Sequence, residues 1–511
     1  MSSKGDERRG GAGLPAFLRE WWPVLLISAV AFFLRFYNLS YQSLSVEEGL
    51  SWFFSRGLFA DIPGNLLKLK ELHPPLYFFF LNVWMMLGGG DSELLLRLPS
   101  AFFSFACVPL VYLLGVRILQ KKVAILASLL MAVSAFVVPC SQEVRMYAMG
   151  MFLILSSFYF LWRWQEERQA YMGVLYVVAT IMALYTHYFF LFIWVGQIAF
   201  MFLQKEVYET ILHQWIAALA VVAIFFLPWV PSFFEQASFD KVSALGGAAS
   251  FRDLLVLIRD LSFSRLFSDP QSSSYQSNLD PMTILGLISL FIVVAGFLDL
   301  MDKQKAFLGA YFIVPLVAAF GLAYVTTSFA IFLPKYFILA SPAFFLLLAN
   351  GLFQIRSKLI FLLVAALFLF INCQALFNWF KAPQYGHAEW REIAKSLAQR
   401  YATGDLIVVQ PAEGRPVLLY YLREKYQIGG YDFFDPLKIS SDFEGYSRFW
   451  FCSMPNHPIC RQVKAEEFFK KIYYQASIPI TVMKLDPADV LRVVLFQNTF
   501  RIHESESSSP L

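Results

Sequence analysis

Charge is what this sequence is short of. Asp, Glu, Lys and Arg make up 15% of its 511 residues, against about 25% in an ordinary globular chain, while 58% are hydrophobic and 18% aromatic. A water-soluble chain of this length has no room to bury so much apolar surface, so a soluble globular protein is excluded. A large excess of one sign is lacking too, since 41 Lys and Arg against 37 Asp and Glu leave +4. No basic stripe interleaved with aromatics is present, which excludes a nucleic-acid surface. Cysteine is scarce, and five residues are too few for a disulfide framework. Cys107, Cys140 and Cys373 lie in apolar runs and read as core residues. Cys452 and Cys460, in FCSMPNHPIC, are near enough to pair in an oxidising compartment. No internal repeat is visible.

What the chain has instead is apolar runs of about 17–22 residues, the length that crosses a bilayer as a helix. The first, WWPVLLISAVAFFLRFYNLS, follows a polar tail carrying Arg8, Arg9 and Arg19. It is long and has no small-x-small cleavage site, so it reads as an uncleaved span with the N-terminus cytoplasmic. It delivers SLSVEEGLS (43–51) to the outer face. The next basic cluster, Arg117, Lys121 and Lys122, belongs inside, so the run from Arg97 to Ile118 must return. PPLYFFFLNVWMMLGGG (74–90) then cannot cross without breaking parity and reads as a helix in the outer interface. VAILASLLMAVSAFVVPC (123–140) exits, and later runs alternate with every basic loop on the cytoplasmic side. The expected fold is a polytopic α-helical membrane protein of about eleven spans plus interfacial helices.

The domains expected are a cytoplasmic tail (1–20), a membrane domain (21–377) and a C-terminal region (378–511). The membrane domain carries a first external loop at 40–96 and another at 232–280. In the last region HAEWREIAKSLAQRY reads as an amphipathic helix and DLIVVQ as a buried strand. A small α/β extracytoplasmic domain is expected there, ending in a tail, ESESSSPL, of disordered composition.

Several external segments each place a reactive group at similar depth. They carry Glu47 and Glu48, then His73, then Gln142, Glu143, Arg145 and Tyr147, then His187, and finally Lys335. Taken singly each has a bland reading: solvated acids at a helix end, structural histidines, an Arg145–Glu143 pair, Arg97 as a helix-end anchor. Together they point to a site, because ionisable groups at membrane depth are costly.

The ordered segments SLSVEEGLS, HPPLYFFFLNVW, GDSELLLRLPSA, SQEVRMYAM, LYTHYFFLF and KYFILASPAF resemble those of GT-C glycosyltransferases that use polyprenyl-phosphate sugars. The branch is that of the protein O-mannosyltransferases and the lipid A aminoarabinose transferase, and the resemblance spans about 43–345. It implies catalysis at the outer face with inversion at the sugar carbon. In that family the first external loop usually carries an Asp-Glu pair whose Asp is the general base. Here Glu47 occupies the Asp position and Glu48 matches the Glu. Glu143 resembles a second acidic position that helps hold the acceptor or a metal. A glutamate reaches one methylene further, and a misplacement near 1 Å can cost about 100-fold in rate.

The chemistry is consistent with these residues. A phosphate-linked sugar brings its own leaving group, so the protein must supply a base for the acceptor and cations for the departing phosphate. Glu47 is the expected base, with Glu48 supporting it. Lys335, Arg145, His73 and Tyr77 are expected to bind the donor's phosphate and lipid, with Arg145 shaped for bidentate contact. Gln142, Glu143, Tyr147 and His187 are expected to hold the acceptor or organise the site. No cofactor is required, although Glu143, His187 and His73 are weak candidates for a divalent ion, without tight ligand spacing. The partners expected are a polyprenyl-phosphate sugar, an extracytoplasmic hydroxyl acceptor (glycolipid, polysaccharide or protein) and membrane lipid, in a bacterial inner membrane. Two other readings stay open: a flippase of lipid-linked sugars, and a non-catalytic partner of a related transferase. Flippases and other transporters tend to show symmetric halves and broken midplane helices, whereas here the polar groups gather at one face.

Overall fold

The computed structural model describes residues 14–204, 211–238, 249–264, 281–326, 329–381, 390–399, 405–410, 414–425, 432–434, 448–453, 481–483 and 492–497. The chain divides into two compact units, one of residues 1–40 and 54–385 and one of residues 41–53 and 386–511.

Among the described residues, every secondary-structure element of the first unit is a helix. Five helices there are long and apolar enough to cross a membrane: Glu93–Ile118, Leu212–Ala237, Asp302–Val325, Pro334–Leu352 and Lys358–Lys381. Five shorter apolar helices accompany them: Trp21–Phe36, Leu76–Gly88, Ala170–Leu184, Phe190–Leu203 and Thr283–Leu298. The protein is therefore an integral membrane protein. Pro334–Leu352 is enclosed by its neighbours, whereas Leu212–Ala237 turns Ile224, Phe225 and Leu227 outward, as a helix facing lipid would.

Helices Pro281–Leu298 and Ser341–Leu352 cross at bare backbone. A Cβ on Gly351 would overlap the carbonyl oxygen of Ile292, and one on Gly296 would lie 2.6 Å from the Gly351 nitrogen. Asn350 Nδ2 donates to the Gly296 carbonyl at 2.8 Å beside this crossing. Without a hydrophobic drive between helices in lipid, close approach at small residues and interhelical hydrogen bonds hold them together.

The run 123–140, expected as one span, is not one continuous helix. It forms helix Lys121–Ala132, breaks, and resumes as the short helix Val137–Ser141. Hydropathy does not register the break because distant polar groups satisfy its backbone. Arg35, fully buried in the first helix, donates to the carbonyls of Met131 (3.2 Å) and Ala132 (2.9 Å), and its Nε donates to Ser104 Oγ at 2.8 Å. Asn372 Oδ1 accepts from the Ala135 amide at 2.8 Å, while Ser134 Oγ accepts from those of Phe136 and Val137. A non-helical turn among apolar helices persists only where such partners exist.

The second unit contains helix Trp390–Ala398 and, among the described residues, a five-stranded sheet. The strands are β1 (Asp405–Gln410), β2 (Asp432–Phe434), β3 (Arg448–Ser453), β4 (Thr481–Met483) and β5 (Arg492–Gln497), in the order β2-β1-β3-β5-β4. β1 runs parallel to β2 and β3, with Ile407 opposite Phe433 and Trp450, while β5 is antiparallel to β3 and β4. The strand expected at DLIVVQ is β1. Cys460 and the ESESSSPL tail lie outside the described residues.

Residues 41–53 are built into this same unit. Arg391 donates to the carbonyls of Tyr41 (3.2 Å) and Gln42 (3.3 Å), and the Tyr421 hydroxyl accepts from the Leu44 amide at 2.6 Å. Trp52 is buried edge-on against Tyr420, with ring centroids 5.2 Å apart. Gly49 faces Val417, whose Cα would lie 2.6 Å from a Cβ at that position, so only glycine admits so close an approach.

Candidate active site

Glu47 and Glu48 open helix Val46–Ser55, yet they sit differently. Glu48 is fully buried, and its Oε2 accepts from the Ser45 amide at 2.8 Å while Ser45 Oγ accepts from the Glu48 amide at 3.1 Å. This reciprocal pair is a capping box, written in the sequence as Ser-Val-Glu-Glu. Glu47 is exposed on the first turn, where the helix dipole favours negative charge.

The remaining expected residues lie in the helical unit, and most of them converge. Helix Ile62–Lys68 ends in a Schellman motif: Lys70 adopts φ 56°, its amide donates to the Leu67 carbonyl and that of Glu71 to Leu66. The turn aims Glu71 and His73 inward, both nearly buried. Glu71 Oε1 bonds His73 Nδ1 directly, and Arg145 Nη2 lies 3.4 Å from that nitrogen and 3.9 Å from that oxygen.

Four aromatic rings gather here. His73 and His187 stand 5.0 Å apart by ring centroid, His187 and Tyr336 4.8 Å, Tyr147 and His187 5.8 Å, and Tyr147 and Tyr336 6.3 Å. Two cations share the Tyr147 ring, with the Arg145 guanidinium carbon 5.9 Å and Lys335 Nζ 5.7 Å from its centroid, within cation–π range. Tyr147 is the first residue of helix Tyr147–Glu167, His187 sits in the turn after helix Ala170–Leu184, and Lys335 begins the 3-10 turn Pro334–Ala340. Each stands at a helix end, where a polar side chain need not cross apolar surroundings.

Burial disfavours charge on both histidines. It pulls His73 below the ordinary imidazole range, opposed by the Glu71 bond and reinforced by Arg145 and Lys335. His187 is held well below that range by burial, then by His73, Arg145 and Lys335. The cluster is therefore two neutral imidazoles and two cations around one buried carboxylate.

Other expected residues serve as supports. Gln142 Nε2 donates to the carbonyls of Leu34, Arg35 and Tyr37 at 3.0–3.3 Å, closing the first helix, while its Oε1 accepts from Trp379 Nε1 at 2.8 Å. Tyr77 is buried and meets Ser100, which donates to the Arg145 carbonyl at 3.3 Å. Glu143 is half-buried, and its carbonyl accepts from the Arg145 amide at 2.8 Å. Arg97 donates to the Leu39 carbonyl at 2.6 Å, as a helix-end anchor does. Among the described residues no three His, Cys, Asp or Glu side chains gather as metal ligands. Beside His73 the Glu71 carboxylate bonds an imidazole and faces the Arg145 guanidinium.

Sequence reasoning missed Glu71, Tyr336 and Gln236. Glu71 stands two residues before the HPP motif, the one signal available. Gln236, on helix Val230–Ala237, donates to the carbonyls of Glu71 (2.6 Å) and His73 (3.2 Å). Tyr188 donates to Gln236 Oε1 and accepts from Trp229 Nε1 at 2.7 Å. This chain fixes the turn that presents Glu71 and His73.

Apolar helices of this length, with a cation-rich aromatic cluster at their ends, define an integral membrane protein. Residues 72–231 match the family described as dolichyl-phosphate-mannose-protein mannosyltransferase. The match takes in His73, Tyr77, Gln142, Glu143, Arg145, Tyr147 and His187, and leaves out Glu47, Glu48 and Lys335. The fold is similar to that of ArnT from Cupriavidus metallidurans in the apo state, at TM-score 0.58 and 13% identity, covering 93% of this chain and 98% of that one. For the same protein bound to undecaprenyl phosphate the TM-score is 0.54 at 13% identity, covering 95% and 100%. The oligosaccharyltransferase AglB from Archaeoglobus fulgidus, in complex with an inhibitory peptide and a dolichol-phosphate, matches at TM-score 0.53 and 11% identity, covering 95% and 75%. No curated protein matches the chain in sequence.

Proposed function

We propose that this protein is an inverting glycosyltransferase that moves a sugar from a polyprenyl phosphate to a hydroxyl of an extracytoplasmic acceptor. The observation that carries the reading is the sharing of one buried tyrosine ring by Arg145 and Lys335 beside the Glu71 carboxylate. With both histidines neutral, the three charged groups leave a positive excess suited to a phosphate leaving group. The match to the mannosyltransferase family and the fold shared with ArnT support the same donor class.

In this reading the acceptor oxygen attacks the anomeric carbon as the bond from that carbon to the phosphate oxygen breaks. The acceptor's proton passes to a carboxylate, and the electron pair leaves with the polyprenyl phosphate, whose developing charge Arg145 and Lys335 meet. One displacement inverts the anomeric configuration. Glu47 is the proposed base, because Glu48 is committed to its capping box while Glu47 stands exposed on the same turn. The proposed setting is a bacterial inner membrane of about eleven spans, with the N-terminus cytoplasmic and the sheet-containing unit outside. Incubating the purified protein with a panel of polyprenyl-phosphate sugars and hydroxyl acceptors tests the proposal. Transfer that disappears in Glu47→Gln supports it, and flipping of the lipid without transfer refutes it.

A further inference from the structure

The two histidines are neutral, and their neighbours decide where each proton sits. Glu71 Oε1 bonds His73 Nδ1 far more closely than Arg145 Nη2, 3.4 Å from the same nitrogen, and a carboxylate only accepts, so the hydrogen in the Glu71–His73 bond belongs to His73 Nδ1. That leaves His73 Nε2 as an acceptor. On His187 the order is reversed. Its Nδ1 accepts from the Phe189 amide at 3.1 Å, so in a neutral ring the hydrogen sits on Nε2, a donor. The two rings, 5.0 Å apart, thus carry opposite tautomers.

Among the described residues the buried His187 donor has no hydrogen-bond partner, and neither has the hydroxyl of Tyr147, which is only 1% exposed. Buried polar groups are nearly always satisfied, and each exception calls for an explanation. Here a bound ligand supplies one. A phosphate offers only acceptors, which suits Arg145 and Lys335 but leaves His73 Nε2 unmatched. A hydroxyl both donates and accepts, and so answers an accepting ring and a donating ring whose centroids lie 5.0 Å apart.

We propose that His73 and His187, with the Tyr147 hydroxyl, form the subsite that reads a hydroxyl of the donor's sugar, while Arg145 and Lys335 take its phosphate. This rests on the reading of the donor as a polyprenyl-phosphate sugar, and it moves His73 from the phosphate to the sugar.

Binding measurements on the purified full-length protein in nanodiscs separate the two. The probes are undecaprenyl phosphate and its glucosyl, mannosyl and arabinosyl derivatives. The wild type should bind at least one sugar-bearing lipid about 10-fold more tightly than undecaprenyl phosphate, the scale of one or two hydrogen bonds to a buried group. His187→Phe should lose that increment and keep its affinity for undecaprenyl phosphate, and His187→Gln, which retains a donor, should recover part of it. Tyr147→Phe serves as a second variant that removes only a hydroxyl, and it should reduce the increment alone. Equal weakening of both lipids in His187→Phe and Tyr147→Phe, or an unchanged increment in both, overturns the assignment. So does a wild type that binds undecaprenyl phosphate and no sugar lipid more tightly, although the lipid-phosphate reading then survives. A wild type that binds neither lipid overturns that reading as well.

Discussion

Ser45 and Glu48 cap one helix between them: the Ser45 amide donates to the Glu48 carboxylate at 2.8 Å and the Glu48 amide to Ser45 Oγ at 3.1 Å. The adjacent acids of SLSVEEGLS are therefore unequal. Glu48→Ala should cost about 1 kcal/mol, the usual worth of a cap, and lower the thermal midpoint, while Glu48→Gln should recover most of it because glutamine also closes a capping box. Glu47→Gln should lower the midpoint less than Glu48→Ala, since only the dipole's ~0.3–1 kcal/mol is lost, and abolish transfer. Thermal unfolding and transfer assays on the three variants check this, and the opposite assignment of the acids would reverse the pattern.

Gln236 holds the carbonyls of both Glu71 and His73. Gln236→Ala leaves two carbonyls of nearly buried residues without their donor, at a cost of about 2 kcal/mol. Hydrogen exchange should rise in residues 71–73 and undecaprenyl phosphate should bind more weakly. Unchanged exchange in that segment would show that Gln236 does not position it.

Arg35 is the fastening of the broken helix near Ala132. Arg35→Met should destabilise the protein by about 3 kcal/mol, the upper range for hydrogen bonds to a charged group. Arg35→Lys should recover little, since an ammonium cannot match the forked contacts to Ser104, Met131 and Ala132. Thermal midpoints of the two variants in detergent provide the check, and full stability in Arg35→Lys would contradict the account.

His73 and His187 should make stability fall in acid. Burial holds both below the ordinary imidazole pKa of about 6.5, so between those depressed values and about 6.5 the unfolded chain binds more protons than the folded one. Their contribution is complete above pH ~6.5 and is lost as the pH falls through the depressed values, by up to about 1.4 kcal/mol per pH unit for each imidazole. The groups facing the pair are Glu71, Arg145 and Lys335, with the Tyr147 and Tyr336 rings. A thermal midpoint followed from pH 8 to 5 should drop for the wild type and drop less for His73→Gln/His187→Gln.

Much of the cluster was legible in the sequence because its members sit in short ordered motifs at helix ends. HPPLY, SQEVRMYA, YTHYF and LPKYF supply His73, Arg145, Tyr147, His187 and Lys335, and the folded chain gathers their side chains around Tyr147 and His187. What hydropathy and motif could not reach depends on pairing across distance. Glu71 reads as an ordinary loop acid until Arg145 lies beside it, and Gln236 stands 165 residues from the carbonyl it holds. The break in the 123–140 run was hidden for the same reason, since its polar backbone is answered by Arg35 and Asn372 from other helices. The capping box at Ser45 and Glu48, by contrast, is a local pattern the sequence displays outright.

The measurement that bears most directly on the central claim is turnover of a polyprenyl-phosphate sugar by the purified protein with a hydroxyl acceptor. Release of polyprenyl phosphate and the anomeric configuration of the product are followed together. The wild type should release the lipid phosphate and form a product of inverted configuration, and Glu47→Gln should do neither. A retained configuration, or full turnover by Glu47→Gln, would contradict the account.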